Sequence, residues 1–168
     1  HARITAPAVG RLRRGHLWIY AGELDQEPCD ESQAIVRVVD AASNLLGYAF
    51  YSRNSQIRLR FLSRNQEPPE PDFFRTRIAE SIARRGSVPA SGTACRLVFG
   101  EGDLLPGIIV DRYGEYLVLQ TLSRGAEAIK PVLVDILRDL IKPAGIFERN
   151  DVKARLMEGL DEIRGVLW

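Results

Sequence analysis

Apolar residues fall in short runs over the first third of this chain and in longer, one-sided stripes over the rest. The short runs are residues 17–20, 34–39, 45–51 and 57–62, each of strand length and rich in β-branched and aromatic side chains. Residues 35–39 are apolar except for Arg37, the pattern of a strand covered on most of both faces. Ile57, Leu59 and Phe61 alternate with Arg58 and Arg60, which predicts one buried and one cationic face. Residues 40–44 read as a turn. Several short strands with turn punctuation predict a small barrel.

Pro68, Pro69 and Pro71 then interrupt any regular element, so residues 67–71 are expected to form an extended linker between units 1–66 and 72–168. Beyond it, Asp72 reads as an N-cap, with Phe74, Ile78 and Ile82 on one helical stripe that ends near Gly86. A second helix is predicted over about 128–141. Its stripe is Ile129, Val132, Leu133, Ile136, Leu137 and Leu140, and Pro131 sits where a first-turn amide has no partner to lose. Residues 146–148 read as a short strand and 151–159 as a helical turn. The strand-like run 165–168 ends the chain and reads as a truncation. The predicted fold class is mainly β plus α+β: an N-terminal pseudo-barrel, then a small α+β domain of helix, β-meander, helix and strand.

Between the two predicted helices lies RLVFGEGDLLPGIIVDRYG, residues 96–114. Glycines directly after a strand suggest a cofactor-binding turn, but such a turn must open a helix whose free amides face the ligand. Here Pro106 and Gly107 lead into Ile108, Ile109 and Val110, which favour a pleated strand. Residues 111–114 then read as a turn and 116–122 as a returning strand. The segment is a β-meander, and its glycines are turn residues.

The string GEGDLLPGIIVDRYG, followed by Leu117, Val118, Leu119 and Gln120, resembles the central domain of bacterial large-subunit ribosomal RNA cytosine-C5 methyltransferases. RGHLWIY at residues 14–20 resembles that family's "GHPW" opening of a PUA domain, with Leu17 where proline is common. FERNDV at 147–152, with Arg155 and the EGL of 158–160, resembles the close of the central domain. The resemblance implies an N-terminal PUA pseudo-barrel that grips structured RNA, ribosomal RNA in particular, and a central domain that positions it. It also implies a methyltransferase domain, binding S-adenosylmethionine, outside this chain. No cofactor is expected in the chain itself.

The formal net charge of +1 conceals a division. Residues 1–65 hold nine arginines against six acids, whereas 66–168 hold fourteen basic residues against sixteen acids. The first 22 residues carry Arg3, Arg11, Arg13 and Arg14 and no acid. Arginine's planar fork suits phosphates and base edges. The expected RNA-contacting set is Arg11, Arg13, Arg14, His16 and Trp18, continued by Arg53, Arg58, Arg60 and Arg64. On a strand, Arg14, His16 and Trp18 would share a face. A competing reading makes Trp18 a core residue closing the barrel, and that reading is preferred, because large aromatics usually carry core energy.

Nothing points to catalysis within these residues. Glu101 and Asp103 lie in a glycine loop without a third ligand or a histidine nearby, and read as turn-formers. Cys29 and Cys95 lack CxxC spacing, which is expected of reduced structural thiols rather than a nucleophile. No apolar run approaches the roughly 20 residues needed to span a bilayer, and a cytoplasmic protein is expected. Three functions fit: the RNA-recognition portion of a methyltransferase, a free-standing RNA-binding or ribosome-assembly adaptor, and a protein-contact or homodimer module.

Overall fold

A computed structural model describes residues 1–30, 32–86 and 94–168. The N-terminal part comprises β1 (Ala2–Ile4), α1 (Ala6–Arg13), β2 (Trp18–Tyr20), β3 (Leu24–Gln26), β4 (Ile35–Val39), β5 (Leu45–Tyr51) and β6 (Ile57–Ser63). These strands form one six-stranded sheet in the order β2-β6-β5-β4-β1-β3. The two edge strands, β2 and β3, are joined by a single turn at Ala21–Glu23, so the sheet must curl until its edges meet. The result is a nearly closed barrel. Ala8, Val9 and Leu12 of α1 help fill it, together with Ile4, Ile19, Val38, Tyr51, Leu59 and Phe61.

Sequence reading gave no helix at α1, because Pro7 and Gly10 depress its propensity. Position rescues it: the Thr5 side chain accepts from the Ala8 amide, and proline in the first turn costs no hydrogen bond. Arg14 therefore caps a helix, and Arg14 and His16 precede the strand that holds Trp18 rather than sharing its face.

The remainder is α2 (Pro71–Arg84), β7 (Ala94–Phe99), β8 (Ile108–Tyr113), β9 (Tyr116–Thr121), α3 (Arg124–Ala128), α4 (Lys130–Ile141), β10 (Gly145–Asn150) and β11 (Ile163–Val166). Strands β7, β8 and β9 form the expected antiparallel meander, and β10 joins parallel to β9 after the helical crossover. Several boundaries move. Asp72 lies in the first turn of α2, whose N-cap is Glu70, and Pro71 opens the helix rather than ending a linker. Strand β8 continues to Tyr113, so the turn is at Gly114 rather than across 111–114. The second predicted helix is two, α3 and α4, with Ile129 between them.

The two sheets share apolar contacts. On β5, Ala49 and Tyr51 point into the barrel while Phe50 enters the second core, stacked 6.2 Å from Phe74. This explains why β5 is apolar on both faces. Tyr48, Phe50 and Tyr51 are all buried. At Gly125 a Cβ would lie 2.4 Å from the Phe50 ring, so only glycine lets α3 approach β5 this closely.

Candidate nucleic-acid interface

The predicted cationic residues separate into three groups along β6 and its neighbours. At one end, Arg13, Arg14 and His16 are exposed around the C-terminus of α1. Exposed Arg64 joins them, its guanidinium donating to the Leu12 carbonyl at 2.7 Å. Positive charge here is also favoured by the negative end of the helix dipole. Arg11 braces the fold instead: it donates to the Trp18 carbonyl, lies 3.3 Å from Glu23 and covers the Tyr20 ring.

At the far end of β6, Arg58 is held by Glu27 at 3.0 Å and by the Ser55 carbonyl, with Arg53 exposed in the preceding turn. Burial, then the Glu27 carboxylate, push the neighbouring Tyr51 phenol up to about 12.

The middle of β6 departs most from expectation. Arg60 does not project from a cationic face. The turn Lys153–Glu158 covers it, and its guanidinium donates to both Glu158 oxygens at 2.7 and 3.2 Å. Glu158 also accepts from the Arg124 amide. Arg60 is thus buried, neutralised and unavailable to a phosphate.

Trp18 lies directly across the ladder from Arg60 and corrects the core reading, being 40% exposed. Its indole Nε1–H donates to Glu101 Oε1 at 3.0 Å, a contact across 83 residues. Trp18 and Glu101 line a cleft of about 590 Å³. Ile57, Leu122 and Met157 give the cleft apolar walls, and Gln56 adds an amide. Arg60 and Glu158 line it too, as a closed ion pair.

The loop carrying Glu101 is rigid for identifiable reasons. Asp103 is buried and accepts from Arg84, Arg85 and the Phe99 amide. Burial alone would raise its carboxyl, but these donors outweigh it and hold the group far below the usual carboxylate range. Gly107 has φ +72°, and a Cβ there would sit 2.7 Å from Ser123 Oγ. The turn at Gly100–Asp103 leads back into strand β8, and the Phe99 amide is already bound by Asp103. Such a loop does not fit S-adenosylmethionine.

Behind the cleft, sequence reading missed a connected buried set. Arg155, 2% exposed, donates to the Thr121 carbonyl and to Glu127 at 2.9 Å. Lys130 bridges Glu127 and Glu148 at 2.6 and 2.8 Å, and Asn150 joins Thr121 to Glu148. Burial opposes the Lys130 charge, but the two carboxylates prevail and raise its pKa. Only the FERNDV string and Arg155 signalled this set, without revealing their partners. Asp111, Arg112 and Arg149 make local contacts, with Arg96, the Gly114 carbonyl and Asp151 respectively. Among the described residues, no helix is long and apolar enough to cross a membrane.

Residues 2–64 match the PUA-like domain family. The chain is also 41% identical, over 159 residues, to ribosomal RNA large subunit methyltransferase I of Vibrio cholerae. That alignment takes in 93% of this chain and 40% of the relative, so the chain spans about two fifths of the length of the curated relatives it matches. Two solved structures share its fold. One is a Streptococcus mutans protein assigned as a SAM-dependent methyltransferase, with TM-score 0.79, 18% identity, and coverage of 100% of this chain and 43% of that one. The other, SMU.776, assigned as a methyltransferase and solved with SAH, has TM-score 0.75, 20% identity, and coverage of 88% and 39%.

Proposed function

We propose that this chain is the RNA-recognition and positioning portion of an S-adenosylmethionine-dependent methyltransferase of large-subunit ribosomal RNA, modifying cytosine at C5 in the cytoplasm. The observation that carries this reading is the 41% identity to a large-subunit rRNA methyltransferase sustained across 93% of the chain. The exposed set Arg13, Arg14, His16 and Arg64 supplies phosphate contacts that fix register without reading sequence. The barrel, 1–66, grips the RNA. The unit 72–168, locked to the barrel by Arg60–Glu158 and the Phe50–Phe74 stack, sets its direction.

In this reading the chain by itself transfers no methyl group. S-adenosylmethionine supplies the methyl in the longer protein, and the glycine loop at residues 100–107 does not fit it. Cys29 and Cys95 are free thiols, and neither lines the cleft. A gel shift with large-subunit rRNA fragments at two salt concentrations tests the reading. Binding that weakens as salt rises is expected, and absence of any salt-sensitive complex would count decisively against it.

A protein-contact role has one observation in its favour: Phe99, Phe147 and Val166 stand exposed on the second sheet. Sedimentation of the purified chain tests it, and a strict monomer that binds RNA removes it.

A further inference from the structure

We propose that the cleft between Trp18 and Met157 receives a single unstacked RNA base, and that Glu101 selects bases bearing an exocyclic amine over uracil. This rests on the RNA-recognition reading above and goes beyond it by naming a base pocket. A nucleobase has two apolar faces and a polar edge. The cleft has the complementary form, with Trp18, Ile57 and Met157 as apolar surfaces and Glu101 and Gln56 as polar groups. Its volume of about 590 Å³ lies within the usual range for small-molecule sites. Trp18 and Met157 are 40% and 69% exposed, an arrangement that wastes burial unless something covers them.

Orientation comes from the Trp18–Glu101 bond. It fixes the indole plane from a loop that Asp103 already anchors. It also occupies one Glu101 oxygen, and no other hydrogen bond to that carboxylate is present among the described residues. An ionised carboxylate only accepts. It therefore suits the amine of cytosine, adenine or guanine, whereas uracil offers it only the N3–H, flanked by two carbonyls that repel the charge. Arg53 and Lys153, both exposed, adjoin the lining residues Asn54 and Ala154 in sequence, where the sugar–phosphate would leave the cleft.

The chain holds two tryptophans, so Trp168→Phe makes Trp18 the sole indole reporter. Short oligocytidylate and oligouridylate are titrated against this variant, alongside a structured large-subunit rRNA fragment. Oligocytidylate is expected to quench Trp18 and to bind roughly tenfold more tightly than oligouridylate. Trp18→Ala should weaken binding about 5- to 150-fold, whereas Trp18→Phe, which keeps a stacking face, should hold most of it. Glu101→Gln keeps an acceptor for the indole yet adds a donor, and should reverse the preference toward uridylate. Equal affinity for both oligonucleotides, unmoved by Glu101→Gln, overturns the selection. Salt-sensitive binding of the structured fragment with no quenching and no effect of Trp18→Ala overturns the pocket and leaves the RNA reading standing. Failure to bind any RNA overturns both.

Discussion

Arg60 and Glu158 form a buried two-point ion pair between residues 98 positions apart, joining the barrel to the turn that closes the second unit. Removing one partner strands the other charge in a site it cannot leave. Glu158→Ala is therefore expected to destabilise the fold by about 3–5 kcal/mol, read from denaturant unfolding. The paired replacement Arg60→Met with Glu158→Leu should lie much closer to the parent. Equal losses for single and double variants would contradict the pairing.

Gly125 is the point of closest approach between α3 and the barrel. Gly125→Ala pushes a methyl into the Phe50 ring and should cost about 1–3 kcal/mol. At this chain length that corresponds to roughly 2–4 °C in Tm per kcal/mol, visible in a thermal scan. An unchanged Tm would mean that the two sheets do not pack through this contact.

Asp103 predicts an acid response. Its carboxyl is depressed in the folded chain, so its stabilising effect is complete above the unfolded value near 3.9 and is lost as pH falls toward the folded one. Stability measured between about pH 5 and pH 2 should decline, and Asp103→Asn should flatten part of that decline. The same variant should lower stability at pH 7, where Arg84 and Arg85 lose their charged partner.

Arg13 and Arg14 are exposed at the C-terminus of α1, Arg13 within the field of Asp40, and a phosphate can reach both guanidiniums from solvent. Replacing each by Ala should leave the circular dichroism unchanged and weaken RNA binding across sequences. It should also lower the log–log salt slope by roughly 0.7–0.9 per lost contact. Arg11→Ala should behave differently, costing stability through Glu23 and Tyr20.

The strands and the meander were legible because their signals are local: runs of β-branched residues, and glycines at turns. Helix α1 was hidden by Pro7 and Gly10, whose unfavourable propensity yields to their position. The candidate site was less legible, because its contacts span long sequence separations. Alternation marked Arg60 as facing away from the barrel, but nothing local says that Glu158 covers it. Trp18 carries the composition of a core residue, and only its bond to Glu101 across the meander shows why it stays at the surface. Glu101 and Asp103, two positions apart in one loop, have opposite fates: the first faces the cleft and the second is sealed by arginines.

The central claim is that this chain holds RNA on the face bounded by the C-terminus of α1 and the Trp18 cleft. Ultraviolet cross-linking of the chain to large-subunit rRNA fragments, with the linked peptides identified by mass spectrometry, tests it most directly. Adducts on residues 11–18, 54–57 and 101 are predicted, disappearing at high salt. Adducts confined to the outer face of the second sheet, around Phe99 and Phe147, would contradict the account.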